Sequence, residues 1–249
     1  MYQKERLDVI VEFITKHGYV TTKSLIDTFH YSVATINRDL NVLEKQKLVR
    51  RTYGGVELVR RKYPPHKFRQ HHMKEEKKRI AKKAAELIKS GDRVFIDAST
   101  TTEFMIDHLL TKKNITVFTN NLLIASQLSD VGISVYCLGG KIVEPPYLLG
   151  GEDTVDMARK YKANKFFFST AAFTDDGRIG CGSTWYSMYL AIENNCDKTY
   201  YLATSDKRSN KEKIALFLHD FSSLTGIISD YEFEDEIKAK FPNTEFIKA

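Results

Sequence analysis

Residues 32–44 constrain this chain more than any other stretch. Ser32 can cap a helix, because its hydroxyl accepts from N–H groups that a first turn leaves free. Val33, Ile36, Leu40 and Leu43 recur at helical spacing and predict one apolar side. At about 100° per residue, Ala34, Thr35, Arg38 and Asn41 point broadly the other way, with Asn37 on the flank. Such an outer face is small, polar and cationic. It fits a major groove, where hydroxyls reach phosphates or base edges and arginine reads guanine O6 and N7. An ordinary amphipathic surface helix has the same periodicity, so the neighbouring segments decide.

Before it, Leu7, Ile10, Val11 and Ile14 predict a helix over residues 4–16, ended by His17 and Gly18. Val20 starts a short second unit that Thr21 or Thr22 caps, with Leu25, Ile26 and Phe29 as its apolar face. His30 and Tyr31 make the turn into the third helix. Three consecutive helices, the last two tightly joined, are a helix-turn-helix pattern. After them, two β-prone runs flank Gly54 and Gly55 and predict a hairpin, which makes a wing. Arg50 and Arg51 at its base can grip phosphate, setting position without reading sequence. A protein-docking helical module is the alternative for this segment.

Residues 3–58 resemble the DNA-binding domain of the DeoR family of bacterial transcription regulators. The resemblance rests on Gly18, on Ser32, Thr35, Ile36, Arg38, Asp39 and Leu40, on Leu43 and Glu44, and on Arg51, Gly54 and Gly55. Asn37 stands where an arginine is commoner, and Thr52 and Tyr53 replace the usual residues before the paired glycines. These departures bear on which operator is read.

Charge is unevenly placed. Residues 1–75 hold 15 Lys and Arg against 8 Asp and Glu, and residues 76–249 hold 23 against 24. A basic front and a neutral back fit a polyanion-binding module joined to something with another task, although a chance excess on a solvated face looks the same. Cys137, Cys181 and Cys196 are widely spaced and form no CxxC, so neither a zinc site nor a disulfide framework is indicated. No apolar run is long enough to span a membrane, and the first residues lack the apolar core of a signal peptide. The expected compartment is a reduced cytoplasm.

Domains are expected at 1–59 and 76–249, with residues 60–75 as the linker. Pro64 and Pro65 prevent helix there, and His71 and His72 read as solvated side chains on a basic segment rather than metal ligands. From Glu75 the texture changes. A helix runs to Lys89, burying Ile80, Ala84, Leu87 and Ile88. Short apolar runs follow at 93–97, 115–118, 135–138, 165–168, 199–203 and 226–229, with helical stretches between most of them. Strands alternating with helices predict an α/β domain with a largely parallel sheet.

Polar residues cluster where those strands end. Asp97, Ser99, Thr100, Thr101 and Thr102 follow the first strand. Thr119 and Asn120 follow the second, Gly139, Gly140 and Lys141 the third, Ser169 and Thr170 the fourth, and Asp206 and Lys207 the fifth. In open α/β sheets the ligand crevice lies outside the carboxyl ends of the strands. Residues 99–102 at a helix start can offer N–H groups and hydroxyls to an anion, Lys207 a charge to the same phosphate, and Asp97 a partner for polyol hydroxyls. Helix caps and turns use the same residues, but five such loops together favour a small phosphorylated ligand.

This half also resembles the DeoR family, through its C-terminal sensor domain, which shares a fold with ribose-5-phosphate isomerase and CoA transferases. Asp97, Thr100, Thr101, Thr119, Asn120, Leu138, Gly139, Gly140, Gly150, Asp206 and Lys207 carry the match. Ser99 replaces a common glycine, Ala171 and Ala172 stand where a glycine is usual, and residues 180–186 lack a frequent acidic residue. The resemblance implies a sugar-phosphate sensor and, with the front half, a transcriptional repressor of carbohydrate genes. Its partners would be double-stranded operator DNA and a phosphorylated sugar, with no cofactor and no metal. A homo-oligomer, dimer or tetramer, is expected on repeated half-sites. The alternative is a sugar-phosphate isomerase or CoA-transferase-like enzyme, with Asp97 and Glu103 as candidate carboxylates. No catalytic constellation emerges, and an enzyme leaves the basic winged front unexplained.

Overall fold

The computed structural model describes residues 3–59, 66–144, 147–208 and 214–249. The chain divides into two compact units, Met1–Lys74 and Glu75–Ala249.

In the first unit α1 (Gln3–His17) ends at Gly18, whose φ of +75° lets its N–H reach back to the Ile14 carbonyl. A short strand, β1 (Tyr19–Thr21), follows where only a helix was expected. Thr21 caps α2 (Thr22–Phe29), accepting from the Ser24 N–H at 3.0 Å. His30 turns the chain with φ +56°. Ser32 caps α3 (Val33–Lys45), and the wing is β2 (Val49–Thr52) with β3 (Gly55–Leu58). The sheet order is β1-β3-β2, so β1 makes the wing three-stranded. Leu7, Ile10, Val11, Ile14, Leu25, Ile36, Leu40 and Leu43 form the core. Val33 corrects the expected apolar side. It is 58% exposed, because the first helical residue extends past the core that Ile36 and Leu40 reach.

The expected linker also needs correction. Within it α4 (His66–His71) folds onto the first unit, seating Phe68 in the core while Lys67 Nζ lies 2.7 Å from Asp8. Six residues with one apolar anchor carry no periodicity that a sequence could announce. Pro64 and Pro65 lie outside the described residues. His71 is buried rather than solvated, and burial pushes its pKa down.

The second unit opens with α5 (Lys74–Glu86) and β4 (Arg93–Ile96). A 3-10 turn at Thr102–Met105 runs into α6 (Ile106–Leu109). Then come β5 (Thr116–Thr119), α7 (Leu122–Asp130), β6 (Ser134–Cys137), and a hairpin of β7 (Lys141–Glu144) and β8 (Leu148–Gly150). α8 (Glu152–Lys160), β9 (Ala163–Phe168), β10 (Ala172–Phe173), β11 (Arg178–Cys181) and α9 (Ser183–Glu193) follow. The unit closes with β12 (Cys196–Ala203), β13 (Leu216–Asp220), β14 (Gly226–Ser229), α10 (Asp235–Lys240) and β15 (Glu245–Lys248).

Seven strands pair in parallel in the order β15-β14-β12-β9-β4-β5-β6. All six predicted runs are among them; β15 adds an edge. Both faces are covered, so the strands read as near-continuous apolar runs. Alternation sends Val94, Ile96, Phe167 and Leu202 to one face, with Ile80, Ala84 and Leu128 from α5 and α7. Phe95, Phe166, Phe168 and Tyr201 go to the other, with Ala158 from α8 and Met188 and Ile192 from α9. From β4 the chain builds outward through β5 and β6. From β9 it builds the opposite way through β12, β14 and β15. Strand order therefore reverses between β4 and β9, and a crevice is expected at the carboxyl ends of that pair.

Candidate DNA interface and effector crevice

On α3 the Ser32 hydroxyl accepts from the Thr35 N–H at 3.2 Å and lies 2.9 Å from the Thr35 hydroxyl. Ala34, Arg38 and Asn41 are exposed and Thr35 and Asn37 half-buried, so the expected outer face is one continuous patch. The helix is held behind that patch by Ile36, Leu40 and Leu43, and also by Asp39, all fully buried. Arg6 of α1 donates through both Nε and Nη2 to the Asp39 carboxylate, the second at 3.1 Å, and that hydrogen bond holds the Arg6 pKa above its ordinary value. Of two adjacent charges, Arg38 faces out and Asp39 faces in. Sequence reasoning gave Asp39 no structural role. Its spacing of three from Ile36 and four from Leu43 was the available signal.

In the wing Tyr53 and Gly54 form the turn, Gly54 with φ +78°, and the Tyr53 ring stands fully exposed at its tip. Gly55 is already in β3. A Cβ there would lie 2.5 Å from the Tyr19 hydroxyl and 2.7 Å from the Val20 carbonyl, so the close approach of β1 requires glycine. Arg50 is exposed and pairs across the strands with Glu57. Arg51 is engaged on α3: it donates to Asn37 Oδ1 at 2.6 Å and Asn41 Oδ1 at 2.8 Å, while its backbone N–H donates to Glu44.

At the switch point of the second unit Asp97 is buried, just past β4. Its Oδ1 accepts from the Ser99 N–H (3.1 Å) and the Thr102 hydroxyl (2.8 Å). Its Oδ2 accepts from the Ser169 N–H and the Tyr189 hydroxyl, both at 3.1 Å. Two oxygens meeting four donors have no lone pair left for a polyol, so Asp97 ties β4 to β9 and α9 rather than meeting ligand hydroxyls. Burial drives its pKa upward against the pull of those donors. Tyr189 is pushed well above the ordinary phenol range by burial and by Asp97.

The neighbouring hydroxyls divide by role. Thr102 is fully buried and turned inward to Asp97, and Ser99 accepts from the Thr102 N–H at 3.2 Å. Thr100 accepts from Lys77 Nζ at 3.1 Å, and Thr101 lies 3.5 Å from Lys207 Nζ, which also donates to the Ser169 hydroxyl. Two ammonium groups thus meet consecutive threonines. Lys77 comes from α5 and is only 4% exposed. The sequence reading missed it, although its spacing of three, four and seven from Ile80, Ala81 and Ala84 places a lysine on an apolar face.

At the end of β5, Thr119 accepts from the Asn121 N–H and Asn121 caps α7 while donating to Glu103 at 2.7 Å. Asn120 donates to the Leu149 carbonyl, and its buried Oδ1 has no partner among the described residues. Gly139 and Gly140 serve a separate purpose. The Gly139 N–H meets Met157, its carbonyl accepts from Thr154, and a Cβ on Gly140 would lie 2.2 Å from the Thr154 hydroxyl. These glycines seat α8 against the β7–β8 hairpin, where Lys141 is exposed.

Residues 6–62 match the sequence profile of the DeoR-like helix-turn-helix domain and residues 72–231 that of the DeoR C terminal sensor domain. The chain belongs to the DeoR family. It is 37% identical over 180 residues to the HTH-type transcriptional repressor GlcR of Bacillus subtilis, covering 71% of this chain and 69% of that one. It is 34% identical over 181 residues to the glycerol-3-phosphate regulon repressor of Escherichia coli, covering 72% of each. It is 29% identical to the lactose phosphotransferase system repressor of Staphylococcus aureus over 246 residues, covering 96% of each. As a DeoR-family member the protein is a DNA-binding transcriptional regulator, and the enzyme alternative falls away. Among solved structures it is similar to a D-ribose-5-phosphate isomerase in complex with phospho-erythronic acid, with TM-score 0.41 and 17% identity over 55% of this chain and 54% of that one.

Proposed function

We propose that the protein represses carbohydrate-metabolism genes, binding operator DNA through α3 and the wing and responding to a phosphorylated sugar in the second unit. Ala34, Thr35, Asn37, Arg38 and Asn41 face base edges, with Ser32 and Arg50 toward phosphates. The observation that carries the effector site is the pair of ammonium groups, Lys77 and Lys207, on the consecutive hydroxyls of Thr100 and Thr101 at the strand-order reversal. Charge-assisted donors around small hydroxyls suit a phosphate dianion. Ser99, the Ser169 hydroxyl and the buried Asn120 Oδ1, unpartnered among the described residues, are polar groups at the same strand ends that could meet the sugar. The protein works as a homo-oligomer in the cytoplasm, because one helix-turn-helix offers a small interface and repeated half-sites supply the rest. Effector shifts the equilibrium between DNA-competent and incompetent states only as far as its affinities for the two differ.

Thermal unfolding of the full chain with sugar phosphates and their unphosphorylated parents tests this. A ligand at about 100 times its Kd stabilises by roughly 2.7 kcal/mol. A shift with one sugar phosphate, absent with its parent and lost in Lys207→Met, is the expected result. Equal shifts with the parent sugar, or an unchanged titration in Lys207→Met, would place the anion elsewhere.

A further inference from the structure

The side-chain amides of Asn37 and Asn41 are one turn apart on the outer face of α3, and both point their oxygen at the same guanidinium. Arg51 Nη2 lies 2.6 Å from Asn37 Oδ1, and Nη1 lies 2.8 Å from Asn41 Oδ1. Guanidinium has donors only, so neither amide can be flipped without placing its NH2 against another donor. Arg51 itself is held from behind, since its backbone N–H donates to Glu44 Oε1 at 3.0 Å and it pairs with Val56 in the wing ladder. The wing thus sets which end of each amide looks outward. A free asparagine reads adenine with both ends, accepting from N6 and donating to N7. Here each oxygen is aimed at the guanidinium, with one of its two lone pairs taken by a charged donor, and the NH2 end is left facing a base.

We infer that Arg51 is a positioning residue for base recognition: it fixes Asn37 and Asn41 as outward donors, so the operator positions they read are acceptor-rich, guanine O6 and N7 or thymine O4, rather than adenine. This rests on α3 being the recognition helix. It also departs from a plain phosphate grip for Arg51, which would leave both amides free to turn. Asn37 is then this chain's own specificity element, legible only because the wing folds back onto it.

Selection from a randomised DNA duplex pool with the full chain, followed by sequencing, tests the inference. Asn37→Ala and Asn41→Ala identify the positions those amides read. At those positions the wild type should select guanine or thymine. Arg51→Lys keeps the charge, and so a phosphate contact, but one ammonium cannot hold two amides in a fork. It should raise adenine relative to guanine there by roughly fivefold or more, the low end of what one bidentate pair discriminates. Arg51→Met should do the same; should it fail to fold by thermal unfolding, Arg51→Lys carries the test. Four results overturn the inference: an unchanged preference in Arg51→Lys; a uniform loss of affinity in Arg51→Met with preference intact; adenine already selected by the wild type; or no altered position in either asparagine variant. No sequence enriched by the wild type would instead remove the recognition-helix reading itself.

Discussion

Asp39→Ala should destabilise the first unit without removing any group from the outer face of α3, because Asp39 is buried against Arg6. The Asp39 side chain is fully buried and the Arg6 side chain 13% exposed, and the two are joined by a two-point hydrogen-bonded contact. Gln3 Nε2 adds a third donor to the carboxylate at 3.3 Å. Removing one partner of a buried pair costs about 3–5 kcal/mol, because the remaining charge is left uncompensated. Arg6 retains some access to water and a ring contact with Tyr31 at 5.2 Å, so the low end, about 3 kcal/mol, applies. For a unit of this size each kcal/mol shifts Tm by about 4–8 °C, so the fall should be roughly 12–24 °C. The single tryptophan, Trp185, reports only the second unit. Hydrogen exchange followed on peptides from residues 3–59 is therefore the assay. The double variant Arg6→Met with Asp39→Leu should recover most of the loss, since apolar replacements carry no stranded charge. If Asp39→Ala costs no more than about 0.5 kcal/mol, as an ordinary surface change does, the pair does not lock α3.

Arg38→Ala should weaken binding to a selected duplex while leaving Tm and effector stabilisation unchanged; equal affinity would remove Arg38 from the interface. Gly55→Ala should cost about 1–3 kcal/mol by overpacking β1, read as a lower denaturant midpoint, and a midpoint within error of wild type would show that β1 yields freely. In the second unit burial presses the His219 pKa down, but the hydrogen bond and charge of Glu193, helped by Asp220, raise it overall above 6.5. The stabilisation from protonated His219 on Glu193 is then complete below about pH 6.5 and lost as pH rises through the raised value. Glu193→Gln should lower the urea midpoint more at pH 6 than at pH 9, and an equal loss at both would mean that the pair is held without a proton.

Much of the architecture was legible in order along the chain. The periodicity of α1 and α3, the cap at Ser32 and the glycine pair of the wing are local patterns, each set by residues within about two turns of one another. The six parallel strands are visible for a similar reason: runs such as Phe166, Phe167 and Phe168 are buried on both faces of the sheet and need unbroken apolar character. The short elements, β1, α4 and the β10–β11–β13 sheet, were not legible, because they are stabilised by partners far along the chain. Within the crevice Lys207 was found by its place after a strand. Lys77 was hidden in a helix whose surface is otherwise crowded with lysines.

Residue type and spacing by themselves determined a winged helix-turn-helix followed by a parallel α/β domain, and the family resemblance carried by those residues implied a regulator. Side-chain assignment was decided only by tertiary contacts. Asp97 had the right chemistry for a sugar hydroxyl, but packing β9 and α9 against β4 supplies four donors and consumes it internally. Arg51 had the right chemistry for a phosphate, but folding the wing back on α3 turns it toward two amides. A polar side chain's valence is fixed by its atoms, whereas the share left for a ligand depends on which neighbours the fold brings within about 3 Å.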